Sequence, residues 1–253
     1  MLSNFRAGLI RALRDDGHEL VALAPIAQDT PALEAMGVRV IALHMDAKGT
    51  SPLRDFALIM RFHAQLRAER PDLVLSYTIK NNIYGAIAAN WLGIPFLPNV
   101  SGLGVAFNRE SALSRLVGLL YRTAFRNLPV LFFQNPDDRA RFETLGFVKP
   151  DQTRLLPGSG VDLTRFDATP LPPRAEGVIF LLVARMLREK GIGEYVEAAR
   201  LLHARGIKAR VQLLGRLGVE NKSAIAAETM DGWVREGCVE YLGETSNVPP
   251  VIR

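Results

Sequence analysis

The sequence has a single cysteine, Cys238, among its 253 residues. A lone thiol excludes a disulfide framework and any metal site built from paired cysteines, and it favours a reducing compartment. The four histidines, at positions 18, 44, 63 and 203, are dispersed and make no pair with metal-ligand spacing. The sequence therefore predicts no metal site and no cofactor.

Long apolar runs are also missing. No uninterrupted apolar stretch approaches the roughly 20 residues that cross a bilayer. The first residues include Arg6, Arg11 and Arg14 without the apolar segment of a signal peptide. We expect a cytoplasmic chain.

Several functional motifs are absent from the sequence as well. It contains no G-x-S-x-G elbow and no Walker-type glycine loop, which lowers support for a hydrolase or a P-loop enzyme. The net charge of +5 and the pI near 9.6 favour phosphate-rich partners or anionic membranes. However, the basic residues are scattered, with no dense run and no zinc-finger or RNP-type motif, so we expect no nucleic-acid partner.

What the sequence does contain is an alternation of strand-length apolar runs with segments of helical period. This pattern is typical of βαβ units and of parallel sheets covered on both faces. A proline-rich polar segment, 167–177, predicts a linker between a first α/β domain, 1–166, and a shorter second one, 178–253. The predicted strands are 20–23, 38–43, 73–77, 96–98, 130–133, 153–156, 178–184, 211–214 and 239–242, and the predicted helices are 9–14, 52–68, 83–92, 113–125, 137–145, 193–204 and 229–235.

The richest candidate for chemistry is the segment 182–191, where a strand leads into a basic turn and then a helix. Ligands of open α/β sheets bind beyond the carboxyl ends of the strands, and a helix N-terminus offers free N–H groups to an anion. Arg185 could grip two phosphate oxygens, and Lys190 could add a mobile charge. Gly215, after the strand 211–214, would let the backbone approach a ligand. The alternatives are a solvated basic turn and a simple strand-ending glycine.

Short motifs occur in order along nearly the whole chain. They are Ser76 to Lys80, Asn82 to Gly85, Ser101 to Gly104, Gln134 to Asp138, Pro157 to Asp162 with Phe166, Phe180 to Gly191, and the strand ending in Gly215. Together they resemble the retaining family 4 glycosyltransferases, which have the GT-B fold of two Rossmann-like domains. The similarity is greatest to bacterial enzymes that add a hexose or N-acetylhexosamine to lipid-linked oligosaccharides.

The resemblance implies that the second domain binds a nucleotide-diphospho-sugar, with UDP as the expected nucleotide. By position, Arg185 and Lys190 would be catalytic and would stabilise the departing diphosphate. Gly215 would border the nucleotide, and the backbone near Gly243 and Glu244 would lie by the base. Members of this class generally need no catalytic metal, so neutralisation of the diphosphate would be the main catalytic effect.

The same resemblance implies an acceptor, a lipid-linked saccharide, held mainly by the first domain. Ser101, Gly102 and Gly104 follow a strand and would shape the sugar or acceptor pocket at the cleft between the domains. Lys80 would meet a phosphate of the acceptor. A plain glycine turn and a solvated loop lysine are the alternatives.

A basic amphipathic helix, 113–125, carries apolar residues together with Arg115 and Arg122, and it is flanked by Arg109 and Arg126. Such a helix could rest on the inner face of the plasma membrane, which would suit a membrane-bound acceptor. A helix packed on the core explains the same apolar stripe.

The sequence departs from the family pattern at both ends. Met1 to Arg6 starts inside the first loop of the family, so we expect the central first strand to be missing. The chain stops at Arg253, before the paired glutamates that hold the donor sugar. We expect exposed sheet edges and apolar faces as a result. A non-catalytic or inactive fragment is one alternative, and a nucleotide-sugar 2-epimerase is another.

Overall fold

The computed structural model describes residues 2–25, 30–45, 51–102, 112–167, 170, 177–219, 221 and 223–252. The chain divides into two compact units, Met1–Val161 and Asp162–Arg253. Of the expected linker, 167–177, residues 168–169 and 171–176 lie outside the described residues, so the linker stays a prediction.

The first unit alternates helices and strands, as the sequence predicts. Its described strands are β1 (Val21–Ala24), β2 (Arg39–Ala42), β3 (Val74–Tyr77), β4 (Phe96–Val100), β5 (Leu131–Phe133) and β6 (Thr153–Leu155). Its described α-helices are α1 (Leu2–Phe5), α2 (Ala7–Asp15), α3 (Thr30–Ala35), α4 (Pro52–Glu69), α5 (Ala86–Leu92), α6 (Ala112–Phe125) and α7 (Pro136–Thr144). The apolar pattern missed α1 and α3, which are too short to show a helical period.

The strands of the first unit all pair in parallel, which confirms the predicted sheet type. They do not form one continuous sheet in the described part of the chain. β1 pairs with β2 in a two-stranded sheet, and the order β3-β4-β5-β6 makes a four-stranded one. Among the described residues, β1 and β2 therefore form a sheet separate from that of β3 to β6.

The connection from β3 to α5 is irregular. Thr78, directly after β3, has a φ of 78°, a left-handed conformation that is uncommon for a β-branched residue. A π-helical turn, Asn81–Gly85, then leads into α5, so the predicted helix begins two residues earlier than expected. A Cβ at Gly85 would lie 2.9 Å from Cζ of Phe96, so a larger residue in this turn would displace the ring of Phe96. Single π turns of this kind occur frequently at functional sites.

An aromatic cluster forms the centre of the first unit's core. Phe142 of α7 is fully buried, and its ring centroid lies 4.9 Å from that of Tyr121 and 5.2 Å from that of Phe133. Burying each such side chain stabilises the fold by about 1.5–3 kcal/mol. These contacts hold α6 and α7 against the four-stranded sheet and so fix the carboxyl ends of its strands.

The second unit has three described strands, β7 (Val178–Val183), β8 (Ala209–Leu214) and β9 (Glu240–Tyr241), paired in parallel in that order. Its described α-helices are α8 (Ile192–Ala204), α9 (Ala227–Arg235) and α10 (Pro249–Ile252). Met186, Ile192 and Leu213 are fully buried in its core. By contrast, Ile179 and Phe180 of β7 are 51% and 43% exposed.

Candidate functional site

The carboxyl ends of β7, β8 and β9 are joined by backbone hydrogen bonds that continue past the strands. Ala184 N–H donates to the Leu214 carbonyl at 3.0 Å, and Met186 N–H donates to the Arg216 carbonyl at 3.0 Å. Gly215 N–H donates to the Gly243 carbonyl at 2.8 Å. The predicted donor-site positions Arg185, Gly215 and Gly243 therefore lie side by side along one edge of the sheet.

Along this edge, the backbones of neighbouring strands approach each other most closely at Gly215. Its φ is 144°, and a Cβ at this position would lie 1.8 Å from the Ala184 carbonyl oxygen. No side chain fits at such a distance, so the glycine is required by packing alone. The Tyr241 hydroxyl donates to the Gly215 carbonyl at 2.8 Å and fixes the peptide plane from the β9 side.

The basic turn and the following helix lie directly after this edge. Arg188–Lys190 form one 3₁₀ turn, and Gly191, with a φ of 75°, precedes the first residue of α8. Gly191 has no side chain to cap the helix, so the first N–H groups of α8 are available to an anion. The side chains of Arg185 and Lys190 are exposed, and neither makes an ion pair with another described residue.

Glu189 is the acidic residue within the basic turn. A hydrogen bond with Ser223 holds the pKa of the Glu189 carboxyl below its usual value, and the charges of Lys190 and Arg185 act in the same direction. The carboxylate is therefore ionised at neutral pH and offsets part of the positive charge of the turn. Sequence reasoning gave Glu189 no role.

Glu244, the last predicted donor-site residue, lies beside Arg216. Its Oε2 is 3.8 Å from Nε of Arg216, and both side chains are more than half exposed. An exposed pair at this distance contributes little to stability. Both side chains are therefore free to rearrange toward a ligand.

In the first unit, Lys80 is already paired. Its Nζ lies 3.0 Å from Oδ1 of Asp55 on α4, and both side chains are 17% exposed. Asp55 also forms a hydrogen bond with Tyr84, and burial together with this bond raises the pKa of the tyrosine. The predicted contact of Lys80 with an acceptor phosphate stays a prediction, and Asp55 would compete with that phosphate for the ammonium group.

Predicted acceptor residues of the first unit line one cavity of about 780 Å³. Lys80, Ser101 and Gly102 all line it. Gly104, the fourth predicted residue, lies outside the described residues. The guanidinium carbon of Arg6 lies 4.2 Å from the ring centroid of Tyr77, which also lines the cavity. Nη1 of Arg6 donates to Ser159 Oγ at 3.0 Å and so anchors this cation at the rim.

Asparagines in the same cavity were not recognised as site residues from the sequence. Asn82 is 2% exposed, and its Nδ2 donates to the Asn99 carbonyl at 2.9 Å. Within the described residues, the Oδ1 atoms of Asn81 and Asn82 are buried without a hydrogen-bond partner. An unpaired buried acceptor costs about 1–3 kcal/mol, so a hydrogen-bond donor is expected to reach these oxygens. The sequence signal is two consecutive asparagines after a buried strand.

A second cavity, of about 570 Å³, lies at the carboxyl ends of β1 and β2. Arg54, Arg61, Lys80 and His44 line it together with the carboxylate of Asp55. Nη1 of Arg61 donates to the His44 carbonyl at 2.6 Å, which holds the guanidinium across the cavity wall. The lining is cationic on balance and would favour an anionic group.

In the described part of the chain, no cluster of three or more His, Cys, Asp and Glu side chains has an arrangement suited to a metal ion. Among the same residues, no helix is long and apolar enough to span a membrane.

Comparison with known proteins decides the family. Residues 3–159 match the family described as the glycosyl transferase 4-like domain. The chain belongs to this glycosyltransferase family. The match confirms the resemblance that the sequence motifs indicate, and it places the predicted acceptor-side residues within the matched domain.

Individual relatives extend the likeness beyond the matched domain. An N,N'-diacetylbacillosaminyl-diphospho-undecaprenol alpha-1,3-N-acetylgalactosaminyltransferase of Campylobacter jejuni is 26% identical over 269 aligned residues. That alignment covers 99% of this chain and 68% of the relative. The crystal structure of Anabaena Alr3699/HepE in complex with UDP-glucose matches with a TM-score of 0.71 and 16% identity, covering 98% of this chain and 67% of that one.

A second similar structure shows that the fold does not by itself identify the reaction. A Listeria monocytogenes protein assigned as a UDP-N-acetylglucosamine 2-epimerase matches with a TM-score of 0.61 and 13% identity, over 98% of this chain and 68% of that one. The GT-B fold is therefore confirmed for this chain. A likeness at this identity shows the fold only and leaves the reaction to be argued from the site.

Proposed function

We propose that this chain transfers a sugar from a UDP-sugar to a lipid-linked saccharide, with retention of the anomeric configuration. The observation that carries the donor half is the carboxyl edge of β7–β9, where Arg185, Gly215 and Gly243 lie side by side and the basic turn after Arg185 leads into α8. Nucleotides bind at this edge of open α/β sheets. The HepE structure that this chain resembles holds UDP-glucose.

The chemistry at the donor site is neutralisation of a departing anion. Arg185 would hold two diphosphate oxygens with its planar fork, and Lys190 would place a point charge nearby. The bond from the anomeric carbon to the diphosphate oxygen breaks, and a bond from an acceptor hydroxyl oxygen to that carbon forms on the same face. The hydroxyl proton leaves with the diphosphate. Fixed cations and N–H groups stabilise this charge better than water because they need not reorganise.

The acceptor half of the proposal rests on the first unit. Lys80, Ser101 and Gly102 share one cavity, and the cationic cavity beside it is lined by Arg54 and Arg61. A saccharide carried on a diphosphate would need both polar contacts for its hydroxyls and positive charge for its phosphates. The Campylobacter jejuni relative is named for a sugar acceptor linked to diphospho-undecaprenol.

We further propose that α6 contacts the membrane that carries such an acceptor. The helix packs Tyr121 and Phe125 into the core but leaves Leu116 and Leu119 51% and 59% exposed. Arg122 is exposed on the same helix. Exposed leucines beside arginines favour the interface of an anionic leaflet.

The donor site is tested by calorimetric titration of the purified chain with UDP and UDP-N-acetylgalactosamine. Arg185→Ala and Lys190→Ala should each weaken binding by at least about 1.5 kcal/mol, the lower range for charge-assisted hydrogen bonds. Arg188→Ala is the matched control, because Arg188 is an exposed cation of the same turn without a proposed contact. Its affinity should stay within twofold of the wild type.

Equal losses in all three variants would mean that only the net charge of the turn matters, and the assigned contacts would be wrong. Absence of UDP binding by a folded wild-type chain would reject the donor site. Conversion of UDP-N-acetylglucosamine without any acceptor would instead support an epimerase.

A further inference from the structure

Helix α4 carries apolar side chains on two opposite faces. The inner face packs on the core of the first unit through three buried residues, Leu58, Phe62 and Leu66. The outer face carries Leu53, Phe56 and Met60, which are 84%, 58% and 43% exposed. Their spacing of three and then four residues places them in one stripe along the helix. An exposed apolar stripe of this kind marks a surface that contacts a partner.

Trp91 of α5 widens this stripe. The indole is 56% exposed, and its ring centroid lies 6.1 Å from that of His63 on α4. His63 follows Met60 by three residues, about one helical turn, so the indole lies beside the stripe. Tryptophan is enriched where apolar and polar phases meet, because its ring is largely apolar while its N–H needs a polar partner. We call Leu53, Phe56, Met60 and Trp91 the outer patch.

The exposed charges of α4 all have one sign. They belong to Arg54, Arg61 and Arg67. The two acidic side chains of the helix, Asp55 and Glu69, are only 17% and 22% exposed, and each is held in an ion pair by a basic residue elsewhere in the first unit. The exposed surface of this helix is therefore apolar and cationic. Charge complementarity favours an anionic partner.

We infer that the outer patch docks on the surface of a bilayer that contains anionic phospholipid. The four apolar side chains would enter the boundary between the headgroups and the acyl chains, and the arginines of α4 would meet lipid phosphates. A second copy of the chain fits this surface less well. In an isologous dimer the same patch meets itself, so arginines would lie against arginines.

The outer patch adds a second element to the membrane contact that we propose for α6. Helix α5 packs against both α4 and α6, and Nδ2 of Asn90 on α5 donates to the Ala124 carbonyl on α6 at 3.0 Å. The three helices therefore form one layer of the first unit. The inference stands on α4 and Trp91 alone and does not depend on sugar transfer, so the outer patch, the α6 contact and the donor site can each fail separately.

Co-sedimentation of the whole chain with vesicles of equal amounts of phosphatidylglycerol and phosphatidylcholine tests the patch. Leu53→Gln, Phe56→Gln and Met60→Gln together should weaken binding by about tenfold or more, because the apolar side chains that enter the interface are lost. The matched control replaces three exposed apolar residues of the second unit by glutamine, namely Leu201, Ile207 and Val234. It should bind as the wild type does. Circular dichroism checks that both triple variants are folded.

A second set of variants tests the charges. Arg54→Gln, Arg61→Gln and Arg67→Gln together should remove the preference for these vesicles over vesicles of phosphatidylcholine alone. The loss should be greatest at low salt, because salt screens the attraction between exposed arginines and lipid phosphates. An unchanged preference would mean that the arginines of α4 do not face the lipid.

Trp91 gives a local measurement of the contact. The chain has two tryptophans, Trp91 and Trp233, so in a Trp233→Phe chain the tryptophan emission comes from Trp91. On addition of the anionic vesicles this emission should shift to shorter wavelength, and phospholipids with brominated acyl chains should quench it. Unchanged emission on vesicles that bind the chain would overturn the inference.

The remaining outcomes separate the alternatives. Binding by the apolar triple variant that equals wild-type binding, or no wild-type binding to the anionic vesicles, would overturn the inference. A dimer seen by sedimentation velocity and lost in that variant would assign the patch to a second copy of the chain. Titration with UDP should give the same affinity for the variant and the wild type. Vesicle binding without any UDP binding would reject the donor site and leave the outer patch standing.

Discussion

Lys80 and Asp55 form an ion pair that ties the turn after β3 to the first turns of α4. Nζ of the lysine lies 3.0 Å from Oδ1 of the aspartate, and each side chain is 17% exposed. The two residues are 25 positions apart, so the pair exists only when α4 and β3 have packed correctly. It therefore reports on the fold as well as on the proposed acceptor site.

Asp55→Asn should lower the free energy of unfolding by about 2 kcal/mol, because it removes the carboxylate charge from an ion pair whose two side chains are both largely buried. Urea unfolding followed by circular dichroism measures the change. The matched control is Glu69→Gln, which breaks an ion pair with the half-exposed Arg39 and should cost less than about 1 kcal/mol. Equal costs for the two variants would show that the burial of the Lys80 pair contributes nothing.

Gly215→Ala should destabilise the second unit by about 3–5 kcal/mol, because the added Cβ would lie 1.8 Å from a backbone oxygen that cannot move alone. The control is Gly218→Ala. Gly218 also has a positive φ, of 68°, but a Cβ there would meet nothing within 4 Å, so the cost should be about 1 kcal/mol. Thermal unfolding of both variants gives the comparison, and similar melting temperatures would contradict the close approach.

Glu240 should make the stability of the second unit depend on pH. Arg210 donates two hydrogen bonds of 2.8 Å to its carboxylate and Gln212 donates a third, which lowers the pKa of Glu240 to about 2. Because the folded pKa is depressed, the stabilisation is present above the unfolded pKa of about 4.3 and is lost as the pH falls toward 2. The side chain is 42% exposed, so solvent screening limits the effect to about 1 kcal/mol.

The measurement is urea unfolding of wild type and Glu240→Gln at pH 7, 4 and 3. The two proteins should differ most at pH 7 and progressively less below pH 4.3. In an Arg210→Met background the same substitution should have a smaller effect at pH 7. A difference that is constant with pH would assign the effect to packing rather than to the carboxylate charge.

Leu116→Ser combined with Leu119→Ser should weaken binding to vesicles rich in anionic phospholipid by at least fivefold, since both leucines are exposed on α6 and a membrane interface would bury them. Vesicle co-sedimentation measures this loss. The chain's folding stability should change little because neither side chain is in the core. Undiminished binding by the double variant would place any membrane contact elsewhere on the surface.

The strands were the most predictable part of the fold. β7 has a continuous apolar sequence, which is typical of parallel strands, and the predictions located β3, β7 and β8 within two residues. The short helices α3 and α10 were missed because six and four residues do not establish a period. The π turn was read as plain helix, since its apolar spacing does not differ enough from that of an α-helix.

The sequence analysis proposes Gly215 for close approach of the backbone to a ligand, and that role stays a prediction. The structure shows a different need for the glycine, because a Cβ there would lie 1.8 Å from the Ala184 carbonyl oxygen. The partner of Lys80 could not be predicted from the sequence, because Asp55 comes close to it only through the packing of α4 on β3. The unpaired oxygen of Asn82 could not be predicted from the sequence either, because only the three-dimensional hydrogen-bond network shows which amide atom lacks a partner.

Backbone hydrogen bonds from Ala184 to Leu214 and from Gly215 to Gly243 hold this edge of the sheet together. The neighbouring side chains are therefore not needed to maintain its structure. Arg216 and Glu244 project from a rim whose shape is set by main-chain atoms. Replacing them should alter what the rim recognises while the scaffold persists. If this edge has the proposed donor role, a library built to change the donor should diversify these two residues and keep both glycines.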